Sequence, residues 1–303
     1  MNIDKKYYQA IQENLGNTIQ DTTINVPNKK AGKVRDAYFL DNKVLMVSTD
    51  RQSAFDRVLA AIPYKGAVLN LVSAWWFTKS KDRFPNHLIS VPDPYVSLVE
   101  KCVVFPVEFV VRGYITGTTE TSLWTVYNSG AREYCGNDLP EGLRKNDKLN
   151  EPMLTPTTKD KVHDRPVSKQ EIIDLGLMSE SDFDVAAKMS LELFSYGQKV
   201  AKENGLILVD TKYEIGRGTD GTIKLVDEIH TPDSSRYWIE TTYKERLRAG
   251  KEPENIDKEF LRLWFAKNCD PYKDKTLPEA PDELVVELSA RYILLYELSL
   301  IHI

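Results

Sequence analysis

The segment from residue 206 to residue 230 predicts a β-hairpin, and no other stretch constrains the fold as strongly. Leu206–Ile215 and Thr222–His230 both have the composition and alternation of β-strands. Between them, the pair Asp220-Gly221 favours a two-residue type I′ turn. The two strands are therefore expected to lie side by side and antiparallel.

The expected register brings two acidic side chains together. A two-residue turn places Glu214 opposite Asp227. Because side chains alternate along a strand, Asp210 and Lys212 project from the same face as Glu214. Like charges directly opposite on a sheet are destabilising, and a hard divalent cation, above all Mg²⁺ carrying substrate phosphates, would remove the repulsion. Alternatively, a bulge at a glycine of the turn would shift the register and leave two solvated carboxylates.

Composition and charge limit the class of protein. The chain has 303 residues, 42% hydrophobic and 28% charged, which is typical of globular proteins with one large or two modest domains. The net charge of −5 argues against a nucleic-acid surface, and no apolar run approaches the ~20 residues that span a membrane. Three separated cysteines without a CxxC pair argue against a disulfide framework or a thiolate zinc site. We expect a cytoplasmic protein without nucleic-acid or membrane partners.

Hydrophobic periodicity predicts further elements. The expected elements are a hairpin around Asp41-Asn42, a helix over Val68–Lys81, a strand over Cys102–Gly113, a helix from Ser181 to Gly205, and helices over Lys258–Lys267 and Asp282–Leu300. Pro106 suggests that its strand is interrupted or lies at an edge. The polar stretch Asn128–Arg165 is expected to be a loop, and loops of that length are usually functional.

A glycine and two cations stand near the N-terminus, in the segment AGKVRD. Gly32 allows a backbone to approach phosphate oxygens closely, and Lys33 and Arg35 would share a strand face. The segment is not a P-loop, because no GxxxxGK followed by Ser or Thr occurs. A hairpin over phosphates would resemble the nucleotide site of protein kinases. The alternative is an ordinary solvated turn.

A second candidate anion site follows the buried strand. Arg112 precedes a turn rich in Gly and Thr, whose amides and hydroxyls would suit a phosphate monoester. Alternatively, Arg112 caps strand carbonyls and Thr116–Thr119 begins a helix.

A third candidate lies just after the strand that carries Asp227. Ser234, Ser235 and Arg236 would form another anion-binding set at the end of that strand. The alternative is an Asx-type turn with an exposed arginine.

Motifs of nucleophilic hydrolases and histidine zinc sites are absent. His163-Asp164 lies in the long loop, but the chain contains neither a GxSxG nucleophile elbow nor HExxH. The sequence therefore argues against a nucleophilic hydrolase and against a zinc site with histidine ligands.

Taken together, these motifs resemble one family. GKVRD, DRQSAFD, EFVVRGYITGT, LVDTKYEIG and LVDEIHTPDSSRYW occur between Gly32 and Trp238 in the order and spacing of the SAICAR synthetase family. The segment EPMLTPTTK is similar to an insertion in the longer form of that family. One departure is Ile215, which stands where the family usually has Phe, and it affects packing rather than chemistry.

The resemblance implies an α+β fold of two lobes, with antiparallel sheets and flanking helices, distantly like kinases and ATP-grasp enzymes. Residues 1–108 would form a β-rich lobe for the nucleotide phosphates. Residues 109–303 would form a larger lobe with the metal and substrate sites, closed by the C-terminal helices. The implied reaction of purine biosynthesis joins carboxyaminoimidazole ribonucleotide (CAIR) to L-aspartate, with ATP and Mg²⁺ and through an acyl phosphate.

The resemblance also implies residue roles. Gly32, Lys33 and Arg35 would bind ATP at its phosphates, and the backbone around Glu108 would meet adenine. Glu214 and Asp227 would be the metal ligands. The implied CAIR ligands are Arg112, Thr118, Asp210, Ser235 and Arg236.

Asp210 and Lys212 are the implied catalytic residues, with Lys212 over the reacting phosphoryl group. A lid containing Lys159, His163 and Asp164 would close over the substrates. The protein is expected to bind small molecules only and to be a monomer. A small-molecule kinase and a non-catalytic nucleotide-binding regulator are the alternatives, and dependence on aspartate distinguishes them from the synthetase.

Overall fold

The chain folds into antiparallel sheets flanked by helices. The computed structural model describes residues 5–55, 57–159, 165–256 and 258–300. Within them, the helices are α1 (Lys5–Glu13), α2 (Lys65–Ser80), α3 (Leu123–Asn128), α4 (Lys169–Asp174), α5 (Glu180–Glu203), α6 (Glu240–Arg248), α7 (Glu259–Asn268) and α8 (Asp282–Leu300). The strands are β1 (Lys29–Ala31), β2 (Arg35–Phe39), β3 (Lys43–Ser48), β4 (Arg51–Ala54), β5 (Arg57–Ala61), β6 (Leu88–Asp93), β7 (Val96–Glu100), β8 (Val103–Tyr114), β9 (Glu133–Tyr134), β10 (Asn137–Asp138), β11 (Lys148–Leu154), β12 (Thr157–Thr158), β13 (Leu206–Arg217), β14 (Ile223–Val226) and β15 (Ser235–Ile239). The expected α+β class is confirmed.

The first large sheet contains five strands in the order β1-β2-β3-β7-β6. Its β2–β3 hairpin turns where the sequence predicted it, around Asp41-Asn42. Helix α2 contacts this sheet on one side and α8 on another, so it is buried on most of its surface. A helix surrounded in this way needs apolar residues all round, which explains the aromatic-rich sequence around Trp76.

The second large sheet positions the candidate site. Its path is β11-β8-β13-β14, with β12 also paired to β8 and β15 also paired to β13. Alternate residues of β8, Val107, Phe109 and Val111, are completely buried on the side that faces α5. The residues between them therefore point to the opposite face, where a polar surface forms.

The predicted hairpin forms, but its register is shifted by one residue. Glu214 pairs with Val226 rather than with Asp227. The amide of Gly218 donates to the carbonyl of Thr222, so the loop has three residues instead of two. Gly221 has a φ of 80°, the left-handed conformation that ends three-residue hairpin loops. The type I′ prediction was therefore wrong, and the alternative of a shifted register is correct. That alternative also expected solvated carboxylates, but the side chains of Glu214 and Asp227 are only 14% and 24% exposed.

Two further expectations are corrected by the partners of β8. This strand is continuous and lies inside the sheet, although it contains Pro106. The register of β8 on β13 shifts between Glu214 and Gly216, near the proline. Pro106 has no backbone N–H to donate, and it therefore lies where the pairing of the two strands is irregular. The stretch Asn128–Arg165 is not a plain loop, because four short strands, β9 to β12, lie within it.

The chain changes from one large sheet to the other at Lys101-Cys102, between β7 and β8. This point precedes the expected lobe boundary at residue 108, which falls inside β8. Helix α8 packs on α1 and α2, so the C-terminal end of the chain covers N-terminal elements. The division into two lobes stays a prediction. Among the described residues, no helix is long and apolar enough to cross a membrane.

Candidate functional site

One face of β13 carries the polar residues that the sequence singled out. Asp210, Lys212 and Glu214 alternate with Thr211, Tyr213 and Ile215, which are at most 1% exposed. Neighbouring β8 places Arg112 beside Asp210 and Glu108 beside Glu214. The expected common face of the three β13 residues is confirmed.

Lys212 lies between two carboxylates. Its Nζ is 2.7 Å from Oε1 of Glu108 and 3.4 Å from Oε1 of Glu214. Burial alone would lower the pKa of Lys212, but the negative charges of Glu214 and Glu108 outweigh burial and raise that pKa. The ammonium group is therefore held charged at the centre of the polar face.

Glu214 has a second cationic partner from the loop after β12. Lys159 Nζ contacts its Oε2. Burial favours the neutral carboxyl, yet Lys212 and Lys159 hold the pKa of Glu214 below its usual range. Of the three expected lid residues, Lys159 therefore lies at the site. His163 and Asp164 lie outside the described residues.

Asp227 joins this cluster by a route that the sequence did not predict. Strand β14 ends at Val226, and Asp227 has a φ of 59°, so its side chain leaves the strand register. Burial raises the pKa of Asp227, and the positive charge of Arg35 lowers it. The negative charges of Glu214 and Glu228 raise the pKa further, so that it is about 6. Asp227 is thus close enough to Glu214 for repulsion even though the two residues are not paired.

Arg35 connects the two large sheets at this cluster. From β2, its Nη1 is 3.1 Å from Oδ1 of Asp227, its Nη2 contacts Glu228, and its Nε is 3.2 Å from Oγ of Ser48. Sequence reasoning missed Glu228, although it directly follows Asp227 in the same motif. The adjacent acidic pair was the only available signal.

The donor set fits Mg²⁺ better than an ion that needs a complete protein cage. Within the described ranges, no group of three or more Asp, Glu, His or Cys could hold a metal ion. Mg²⁺ is usually bound by one or two carboxylates together with waters and substrate phosphates. Glu214 and Asp227 supply two carboxylates, and burial together with the charges of Glu214 and Glu228 raises the pKa of Asp227.

At the other end of the polar face, two arginines share one carboxylate. Strand pairing places Asp210 between Arg112 on β8 and Arg236 on β15. Oδ2 of Asp210 is 2.7 Å from Nη1 of Arg236 and 3.8 Å from Nη1 of Arg112. Arg112 also donates through Nε to Thr155, at 2.9 Å. Asp210 thus holds two guanidinium groups in fixed positions, which suits recognition of a phosphate monoester.

Two residues that were grouped with these arginines have contacts elsewhere. Ser235 pairs in register with Thr211, on the buried face of β13, and their hydroxyls are 2.7 Å apart. Thr118 Oγ1 donates to Glu259 at 2.8 Å, beside a cavity of about 780 Å³ that Arg262 of α7 also lines. The structure does not bring either hydroxyl to Asp210.

Glu108 lies inside the second large sheet. It is paired with Glu214 on one side and with Thr157 on the other, and its side chain contacts Lys212. The contact of the Glu108 region with adenine stays a prediction.

The turn before β2 has the close approach expected of a glycine. The amide of Gly32 donates to the carbonyl of Arg35 at 2.8 Å, and an added Cβ at Gly32 would lie 2.6 Å from that oxygen. Lys33 is exposed in the turn itself rather than in a strand shared with Arg35. The predicted common face of the two cations is therefore wrong, because Lys33 lies in the turn while Arg35 lies in β2 and contacts Asp227 and Glu228.

A buried polar network lies next to the cluster and was not predicted. Asp233 accepts from Lys65 at 2.7 Å and from Tyr292 at 2.7 Å, and Lys258 Nζ lies 3.5 Å from it. Lys65 is completely buried. Asp233 directly precedes the third candidate anion-binding set, but its partners come from α2, α8 and the start of α7, which sequence spacing does not relate.

The site can now be compared with known proteins. The SAICAR synthetase family model matches residues 28–278. A phosphoribosylaminoimidazole-succinocarboxamide synthase of Legionella pneumophila (strain Lens) is 61% identical over 92% of this chain and 90% of its own length. The chloroplastic enzyme of that name from Arabidopsis thaliana is 57% identical over 95% of this chain and 71% of its own length.

Solved structures agree with the sequence relatives. SAICAR synthase from Saccharomyces cerevisiae, in complex with SAICAR, is 32% identical with a TM-score of 0.79, over 92% of this chain and 97% of that chain. A SAICAR synthetase in complex with ADP, at 23% identity and a TM-score of 0.69 over 90% and 97% of the two chains, shares the fold. The chain belongs to the SAICAR synthetase family.

Proposed function

We propose that this protein carries out the reaction of its family, the ATP-dependent condensation of CAIR with L-aspartate to give SAICAR, ADP and phosphate. The order of charges along β13 is the observation that best supports this function. Arginines lie at the Asp210 end, a lysine stands at the centre, and carboxylates gather around Glu214. One face of the sheet can therefore bind the sugar phosphate at one end, the reacting carboxylate in the middle and the metal-bound nucleotide at the other end.

The nucleotide binds at the Glu214 end. Glu214 and Asp227 would hold Mg²⁺, and Arg35 contacts Oδ1 of Asp227. Bound there, the ion would supply positive charge beside the phosphates of ATP. Gly32 and Lys33 bind the phosphates from the turn before β2, and Arg35 keeps Asp227 in place.

The ribonucleotide binds at the Asp210 end. Arg112 and Arg236 receive its phosphate, and Asp210 orients both arginines and accepts hydrogen bonds from the substrate. A role for Thr118 requires its hydroxyl to leave Glu259, and a role for Ser235 requires it to leave Thr211. Both roles are therefore secondary to those of the arginines.

The chemistry takes place between these ends. A carboxylate oxygen of CAIR attacks the γ-phosphorus of ATP, the bond to the β-phosphate oxygen breaks, and ADP leaves. The aspartate amine then forms the C–N bond, phosphate leaves with the C–O bonding electrons, and the amine loses a proton. Lys212 stabilises the negative charge on the transferred group, and no protein nucleophile is needed.

Lys159 contacts Glu214 and would have to leave it for Mg²⁺ to bind there, which would free its ammonium group for the phosphates. A lid of Lys159, His163 and Asp164 over the substrates stays a prediction, since the last two lie outside the described residues. Exclusion of water would protect an acyl phosphate from hydrolysis.

The test is ADP release with MgATP, CAIR and L-aspartate, leaving out each substrate in turn. Release that needs all three, with SAICAR formed in equal amount, supports the synthetase. Release without aspartate, and with a phosphorylated product that persists, would instead indicate a small-molecule kinase. Binding of ATP without any release would contradict catalysis and indicate a regulator.

A further inference from the structure

Arg51, the first residue of β4, donates hydrogen bonds to the turn that precedes β2. Its Nη2 donates to the carbonyl of Gly32 at 3.0 Å, and its Nε donates to the carbonyl of Lys33 at 3.3 Å. The next carbonyl, of Val34, accepts from both the amide and the hydroxyl of Thr49, at 2.9 and 2.6 Å. Three successive carbonyls of the turn are thus held by two residues, Arg51 and Thr49.

This arrangement fixes the direction of the amides. A trans peptide is planar, and its N–H points opposite to its C=O. Because the carbonyl of Gly32 points to Arg51, the N–H of Lys33 points away from it. The same holds for the carbonyl of Lys33 and the N–H of Val34. Successive N–H groups that point outward from a tight turn are a backbone arrangement that binds anions.

Arg51 is itself held rigidly. Its Nη2 is 2.7 Å from Oδ1 of Asp36, which is completely buried, and its Nη1 donates to the carbonyl of Gln20. Asp36 also accepts from Thr22 at 2.7 Å, and Lys29 Nζ lies 3.1 Å from it. The planar guanidinium therefore has a fixed orientation, and a lysine could not reach the same set of acceptors.

We propose that Arg51 is a positioning residue that orients the peptide N–H groups of Lys33 and Val34 toward the β- and γ-phosphates of ATP. This rests on the proposed function, which assigns the phosphates to the Gly32–Lys33 turn. Arg51 acts through the backbone and does not touch the nucleotide. Its effect must therefore depend on the number of phosphates and not on adenine or CAIR.

The experiment compares binding of AMP, MgADP and MgATP by calorimetry to the wild type and to Arg51→Lys. The variant keeps a positive charge beside Asp36 but loses the pair of hydrogen bonds to the carbonyls of Gly32 and Lys33. We expect affinity for ADP and ATP to fall about tenfold, which is the scale of one or two hydrogen bonds. Affinity for AMP and the KM for CAIR should not change. Arg57→Lys is the matched control, because Arg57 also donates to backbone carbonyls, at Pro271 and Lys275, away from the turn.

A second measurement uses the wild type alone, so it does not depend on how the variant folds. The amide NMR signals of Lys33 and Val34 should shift when ADP is added and should stay in place with AMP. An Arg51→Lys protein that loses affinity equally for AMP and ADP, or that loses none, would overturn the positioning role. Unshifted amides at saturating ADP would overturn it too. A wild type that binds no ADP would instead refute the proposed function.

Discussion

Arg35 and Asp227 are separated by 192 positions in the sequence, yet Nη1 of the first lies 3.1 Å from Oδ1 of the second. The contact joins the five-stranded sheet to the end of β14, where the candidate metal site lies. Asp227 is therefore positioned by both large sheets at once. A nucleotide bound between the Gly32 turn and Asp227 would be contacted by both sheets in the same way.

Asp227→Asn should abolish Mg²⁺-dependent turnover, because an amide cannot replace the anionic ligand. The melting temperature near pH 7 should be unchanged or higher, since the neutral side chain is not repelled by Glu214 and Glu228. Asp227 has a raised pKa of about 6, so its charge costs stability in full only above that pH. The stability difference from wild type should therefore shrink as the pH falls below 6.

The control for that variant is Asp220→Asn, in the turn of the same hairpin. Asp220 lies 3.1 Å from Lys224 and more than half of its side chain is exposed. Its loss should leave turnover and the Mg²⁺ requirement unchanged. Normal turnover by the Asp227 variant would remove that residue from the metal site.

Arg236→Ala should raise the KM for CAIR about 100-fold, because hydrogen bonds from a guanidinium to phosphate are each worth about 1.5–3 kcal/mol. The KM for ATP should stay within a factor of two or so, since the nucleotide lies at the other end of β13. Steady-state kinetics with each substrate varied in turn measures both. Arg217→Ala is the control, because Arg217 is the last residue of β13 and is paired with Asp182. Equal increases in the KM for CAIR and in the KM for ATP would argue against separate binding of the two substrates at opposite ends of β13.

Lys212→Met should lower kcat by about 10² to 10³, the usual cost of removing one group that stabilises transition-state charge. Binding of MgADP should persist. Lys224→Met on β14 is the matched control, because Lys224 pairs with Glu100 and Asp220, which have no role in the proposed site. Single-turnover measurements separate the chemical step from binding. A Lys212 variant that loses affinity but keeps its chemical rate would contradict the assigned role.

The buried histidine His230 should make stability depend on pH. Burial lowers its pKa from 6.5 to about 3, so the unfolded chain takes up a proton in that interval while the folded chain does not. The free energy of unfolding should fall as the pH drops below 6.5, by about 1.4 kcal/mol per pH unit for this residue.

His230→Asn is the variant that isolates this contribution. Asparagine tolerates the left-handed backbone at this position, where φ is 56°. The free energy of unfolding of this variant, measured with urea between pH 4.5 and 6, should depend on pH less steeply than that of the wild type, by the uptake of about one proton. This difference in slope does not depend on the absolute stability of the variant. An unchanged slope would mean that His230 does not titrate differently on folding.

Strand alternation was the part of the site that sequence predicted best. It placed Asp210, Lys212 and Glu214 on one face, because the period of a strand does not depend on its partners. The register of the hairpin was not predictable in the same way. Asp220-Gly221 suits a two-residue turn, but it also suits a three-residue loop ending at Gly221 with φ near 80°, and only the packed structure decides between them.

Contacts between distant segments could not be predicted at all. Nothing in spacing relates Asp233 to Tyr292, or Arg51 to the carbonyls of the Gly32 turn. Such contacts depend on how sheets and helices pack, and single-sequence patterns report only local structure. The resemblance to a family indicated candidate positions but not the contacts that those residues make, as the buried hydroxyl of Ser235 illustrates.

We propose that Glu214 and Asp227 hold the metal of a nucleotide whose phosphates meet the Gly32 turn. Mn²⁺ prefers oxygen ligands as Mg²⁺ does and scatters anomalously, so crystals grown with MnADP locate the metal itself. We expect an anomalous peak within bonding distance of both carboxylates and of an ADP phosphate. A peak elsewhere, or ADP bound with no metal at these two residues, would refute this metal site.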